Sequence, residues 1–303
     1  MKIIKPIAVT DATLVSHSVA ENDYAVWASG TTYTAGQKVI MTTGVHKIFE
    51  SVADGNTGND PSTTTGFWID LGPTNRWAMF DQAVGTVTEG ALEIATVIEL
   101  ADADGVDAIA LLDLSGDTAL IELIDAADAV LYSDERPLID YADAAPSWYS
   151  YFFGEQEHIA NLVLLGLPFF YSARLRVTIS AAAGNVSIGT LAFSRAVEAG
   201  ITEWSPEIGI TDYSTKETDI YGVTKVVERR YATVMSCDFK IPHRQLRAVF
   251  RLLAAIRATP VVWIGSEDQQ LDVTIVYGFY KGFNIIMKNT RFSFCSLEIE
   301  GLT

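Results

Sequence analysis

Catalysis needs a base, a nucleophile or a metal held in fixed geometry, and the scarce groups that could serve are His17, His46, His158, His243, Cys237 and Cys295. None of the histidines lies in a known site motif: there is no HExxH, no nucleophile elbow, no P-loop and no glycine fingerprint following a strand. The cysteines lack CxxC and Cys/His spacing, so two buried free thiols are expected. Asp102, Asp104 and Asp107 flank Gly105 and form the best cation candidate, because alternate carboxylates in a turn can converge on calcium as hard oxygen ligands. The spacing falls short of a full calcium loop, and a solvated acidic turn is the alternative. A carboxylate pair for glycoside hydrolysis stays open in a chain with 38 acidic residues. The expectation is a protein that is not an enzyme, with no cofactor and no resident metal.

Binding surfaces are the other kind of site. Arg244, Arg247 and Arg251 stand at i, i+3 and i+7 and share one face of a predicted helix. They are either a solvated polar face or a basic stripe that pairs with acidic surface on a neighbouring copy, which would favour ring assembly. The acid to meet them is present: residues 81–170 hold 18 Asp and Glu against one basic residue, Arg136, while residues 201–303 hold 12 of each sign. The whole net charge of −17 therefore resides in the middle of the chain. Such a surface repels phosphate backbones and disfavours specific nucleic-acid binding.

The elements that must position these residues are mostly strands. At 303 residues, two or three cores are expected, and 49% apolar with 19% charged residues fits globular folding. The longest apolar stretch, residues 159–171, contains Asn161, Gly166 and Pro168 and is shorter than the roughly 20 residues of a membrane helix, so no span is expected. The first ten residues lack a signal-peptide core, which predicts synthesis in the cytoplasm without secretion.

Turn-forming clusters divide the chain into an N-terminal arm or strand (1–22), a small β module rich in Gly, Thr and Asn (23–73), a β-sandwich (74–200) and a C-terminal β/α domain (201–303). Short apolar runs at 91–100, 106–112, 118–124, 129–132, 148–153, 162–167, 173–179 and 186–193 have the recurrence of a sandwich or jelly roll. After a polar connector at 209–222, Tyr231, Thr233, Met235, Cys237, Phe239 and Ile241 alternate with polar residues, which places one face of a long strand on a core. Pro242 then opens a helix in which Leu246, Val249, Phe250, Leu253 and Ile256 form the apolar stripe. Strands at 261–264, 271–279, 283–287 and 292–300 complete a mainly β fold carrying one helix.

One part of the chain carries a family pattern. Trp27, Tyr33-Thr-Ala-Gly36, Gly44-Val-His46-Lys-Ile48-Phe49-Glu50, Gly58-Asn-Asp60-Pro61 and Trp68-Ile-Asp-Leu71-Gly72 together resemble the small chitin-binding-type modules found on chitinases and on phage tail proteins. The resemblance implies a carbohydrate-binding role for Trp27, Tyr33 and Trp68, whose ring faces could pack on a pyranose; the same rings could instead fill the module's own core. Ser51, Val52 and Ala53 stand where the family usually shows an exposed aromatic pair. The segment Pro73–Asp81, the phrases at 148–153 and 209–214, and the ending Leu297-Glu-Ile-Glu-Gly301-Leu302 are similar to tail-tip or baseplate proteins of long-tailed bacteriophages. That resemblance implies a galactose-binding-like jelly roll in the middle and a C-terminal domain that contacts the tail axis or its neighbours. It also implies a virion location, a ring of three or six copies, partners among other tail and baseplate proteins, and contact with host-surface glycans. The competing reading is a non-virion carbohydrate-binding protein, lectin-like or an accessory module of a carbohydrate-active enzyme.

Overall fold

The computed structural model describes residues 1–83, 85–140, 149, 157–203, 206–218, 221–222, 224–266, 273–287 and 291–302. The protein is mainly β, with 54% of it in strands and 7% in helix, arranged in antiparallel sheets. The expected strand at 148–153 lies outside the described residues, apart from Tyr149.

The middle of the chain forms a sandwich built around one long strand, Arg174–Ser194. It pairs with Thr88–Glu99 through both halves, with Thr118–Ile124 through its first half and with Ala108–Ser115 through its second. The register shifts between Ser180 and Asn185, after which Asn185–Ile188 continues along the same neighbour, opposite Thr88–Ala91. Sequence periodicity predicts two strands here, because the small residues Ala181–Gly184 read as a turn. Instead one strand runs through them, interrupted by a bulge in which Gly184 takes φ 87°. Ile94, Ile98, Ile109, Leu111, Ile121, Leu175, Val177 and Ile179 fill the space between the layers. The segment 120–130, which could be read as a helix, is strand followed by turn, with the Asp125 carboxylate accepting the N–H groups of Ala127 and Ala129.

The second large unit is an eight-stranded antiparallel sheet that takes strands from both ends of the chain. Lys2–Ile4 lies between Ala196–Glu198 and Val261–Ile264, and the sheet continues through Ile275–Ile286, Phe292–Gly301 and Tyr231–Pro242. The helix Leu246–Ala255 packs Val249 and Leu253 onto Met235, Cys237, Phe239 and Ile241, so period 3.6 meets period 2 where the sequence pattern predicts. Its apolar stripe is narrower than expected: Leu253 and Ile256 are buried, but Phe250 is exposed, edge-on to Phe283 at 5.9 Å. The helix covers only part of the strand: Tyr231, expected on the core face, is 59% exposed beyond its reach. The two large units meet through small side chains, with Ala108, Ala110 and Ala192 of the sandwich against Ile4, Val262 and Tyr277.

The arm 1–22 is divided between these units. After Lys2–Ile4, the strand Leu14–His17 joins the sandwich by pairing with Thr88–Glu99. The small module is then fixed to this arm through His46. The His46 ring stacks on Trp77 at 4.0 Å, with Nδ1 3.0 Å from Glu21 Oε1 and Nε2 2.7 Å from Asp11 Oδ1. Thr74 donates a hydrogen bond to the same Glu21 oxygen at 2.9 Å.

His17 sits at this junction, its Nδ1 accepting the Val19 N–H at 3.0 Å and its ring edge-on to Phe80. Burial, reinforced by the nearby Arg76 guanidinium, lowers its pKa from 6.5 to about 4. The unfolded chain therefore takes up a proton that the folded chain refuses. The stability associated with neutral His17 is full above pH 6.5 and is lost as the pH falls toward 4. Urea unfolding between those limits should show a loss of about 3 kcal/mol attributable to this group. A His17→Phe variant should show a correspondingly shallower acid limb.

Candidate assembly surface

The aromatic residues expected to contact sugar are drawn into the module's interior. Tyr33, Val39, Phe49 and Trp68 form its core, with Trp27 half-buried against them. Tyr33 and Trp68 meet edge to face at 5.2 Å; the Tyr33 hydroxyl accepts the Ala28 N–H, and the Trp68 indole donates to the Asn59 carbonyl. The reason is size: three short strands, Lys38–Met41, Lys47–Ser51 and Trp68–Pro73, cannot enclose a core without the largest rings in the segment.

The acidic triad does not converge. Asp102 Oδ1 accepts the Ser172 N–H at 2.6 Å and Asp107 Oδ1 accepts the Ala196 N–H at 2.6 Å, so each carboxylate closes a different loop. Asp104 is exposed in the 3-10 turn Asp102–Asp104, and Gly105 follows in the left-handed region. Among the described residues no three His, Cys, Asp or Glu side chains are grouped to hold a metal ion. Cys237 and Cys295 are free and buried, with burial pushing their thiols up to about 11 and about 12.

Arg247 and Arg251 project from the exposed face of the helix, with Arg244 exposed in the turn before it. Among the described residues none of the three has an ion-pair partner.

The segment that sequence reading leaves as a polar connector is the surface that stands out. Glu207–Asp212 is a strand at the edge of the eight-stranded sheet, antiparallel to Tyr231–Pro242 and in line with the short strand Ile201–Thr202. The Tyr213 N–H bonds the Arg230 carbonyl, which fixes the alternation along this pair. By that alternation Ile208, Ile210 and Asp212 turn their backbone N–H and C=O groups away from the sheet. Ile208 and Ile210 share a face with Met235, so the apolar face of the sheet runs out from under the helix and into solvent, where they are 42% and 66% exposed. Beyond the edge, Thr215–Thr218 and Thr224–Val227 form a two-stranded ribbon whose Val226 is also exposed. Such a ribbon is marginal in water without a supporting layer. The missed signal was the alternation Ile208-Gly-Ile210, hidden among turn-forming residues.

No family description, curated protein or solved structure matches this chain. Among the described residues no helix is long and apolar enough to cross a membrane.

Proposed function

We propose that the protein is a structural component of a long-tailed bacteriophage tail tip or baseplate, closing into a ring of three or six copies around the tail axis and contacting host-surface glycans. The observation that carries this reading is the edge at Glu207–Asp212, where Ile208 and Ile210 are exposed and, among the described residues, no strand pairs with the outward side. Natural sheets protect such edges with charge, proline or a covering element, because an open apolar edge recruits another strand. A second copy supplies one. At the opposite side of the same sheet, Ala196–Glu198 is the outer strand, and every neighbouring pair between the two edges is antiparallel. The two outer strands therefore point the same way, and a head-to-tail ring pairs them in parallel, leaving no edge when it closes. The resemblance of the segments around Pro73–Asp81 and Leu297–Leu302 to tail-tip proteins supplies the setting.

Light scattering on the purified chain tests the reading. The expected mass is three or six times that of the chain, and a monomer at high concentration would overturn the ring.

The arginine stripe gives a second, electrostatic prediction. If Arg247 and Arg251 face acidic surface of a neighbour, Arg247→Glu with Arg251→Glu weakens assembly roughly fivefold at about 0.05 M salt, and the difference shrinks as salt screens the pair. Sedimentation at two salt concentrations reads it directly.

A further inference from the structure

The sandwich carries a second uncovered surface, at the end where its loops gather. The loop 166–172 leaves the strand Leu162–Leu165 through Gly166, which has φ 76°, and re-enters the sheet at Arg174. Within it, burial alternates: Phe169 is 59% exposed, Phe170 packs against the sandwich core, and Tyr171 is 79% exposed. The two outer rings thus stand on either side of an anchored one, two residues apart on the same loop.

The loop is held in this arrangement at both ends. Leu167 is buried and its N–H bonds the Asp107 carbonyl at 2.9 Å. Ser172, at φ 52°, gives its N–H to Asp102 Oδ1. A chain that exposes two large rings on a loop so tied loses the burial energy of both and retains a preorganised apolar platform. Beside it lies a small hollow lined by Leu100, Asp102, Val106, Leu123 and Phe169, which brings the Asp102 carboxylate next to the Phe169 ring.

We propose that this loop is the glycan-binding platform of the protein, with Phe169 and Tyr171 stacking on the sugar rings and neighbouring carboxylates accepting hydroxyl hydrogen bonds. Flat aromatic faces suit the C–H faces of pyranoses, and carboxylates, which only accept, suit a ligand rich in O–H donors. The charge of the unit selects the class. Residues 74–200 hold 19 Asp and Glu against five Arg, among them Arg174 beside the loop, so the net surface still repels phosphate, sulfate and uronate, and the ligand is a neutral glycan. This deepens the glycan-contact part of the proposed function and is independent of the ring. It moves the contact from the small module, where Tyr33 and Trp68 are buried, to the sandwich.

Saturation-transfer NMR on the full chain, with chitotetraose, cellotetraose and isomaltotetraose as neutral probes and tetragalacturonate as the charged control, tests it. The expected result is transfer to at least one neutral probe and none to the uronate. The double substitution Phe169→Ala with Tyr171→Ala should weaken binding about tenfold or more, and Tyr171→Phe should keep it. Binding unchanged in the double variant would overturn the platform while leaving glycan contact standing elsewhere. Absence of transfer to every neutral probe would remove both, even if the double variant lost binding to a basic protein surface instead. The assembly mass measured on the same samples reports separately on the ring.

Discussion

Ile210→Lys should release the assembled ring into smaller species, raising the dissociation constant by roughly tenfold to a hundredfold while far-UV circular dichroism stays unchanged. Ile210 is 66% exposed on the strand Glu207–Asp212, so a lysine there is solvated in the free subunit and perturbs no packed core. In the assembled ring the same ammonium would replace an apolar contact along an inter-subunit strand pair and would have to be desolvated there. A concentration series by sedimentation velocity distinguishes this from misfolding, since a folded monomer and an aggregate move in opposite directions. Thr211→Lys, one residue along and on the other face of the strand, is the control and should weaken assembly less. An oligomer unaffected by Ile210→Lys would place the interface elsewhere.

Trp263→Ala should cost about 3–5 kcal/mol of folding stability, the range for removing a large aromatic side chain from a packed core. Trp263 is fully buried between the helix and the sheet, donates its indole N–H to the Gly278 carbonyl at 3.1 Å, and meets Tyr280 edge to face at 6.2 Å. The Tyr280 hydroxyl in turn donates to the Leu253 carbonyl at 2.9 Å, tying the strand Ile275–Ile286 to the helix. Removing the indole therefore empties a cavity and leaves the Gly278 carbonyl without its partner. Urea unfolding followed by fluorescence of the remaining tryptophans should show a lower midpoint. Because the edge Glu207–Asp212 is held by the same sheet, assembly should weaken as well, but only where the fold is lost. Trp263→Phe keeps most of the volume and should cost markedly less.

Much of the fold follows from local pattern. Alternation over 231–241 places Met235, Cys237, Phe239 and Ile241 on a core, and the stripe from Leu246 to Ile256 places a helix against them, as observed. The run at 118–124 is the strand Thr118–Ile124 with both bounds as expected. The limits of pattern show where a residue's neighbours come from far along the chain. Nothing in Lys2–Ile4 says that it will lie between strands almost 200 and 260 residues away, because any apolar three-residue segment can join any open ladder. The same holds for the connector at 209–222, whose pairing with Tyr231–Pro242 depends on an edge that exists only once the sheet is built.

For function the division is sharper. Residue types and order by themselves determined a β-rich chain with acid concentrated in its middle, buried thiols and a short list of rings that could stack on sugar. Which rings remain available was decided only in three dimensions: Tyr33 and Trp68 are consumed by a module too small to form a core without them, while Phe169 and Tyr171 are held outward by a loop pinned through Asp102 and Asp107. Composition fixes how many apolar groups must find cover. Only the folded topology settles which of them are left without it: the helix packs over Met235, Cys237, Phe239 and Ile241, while Ile208 and Ile210 on the edge strand stay exposed.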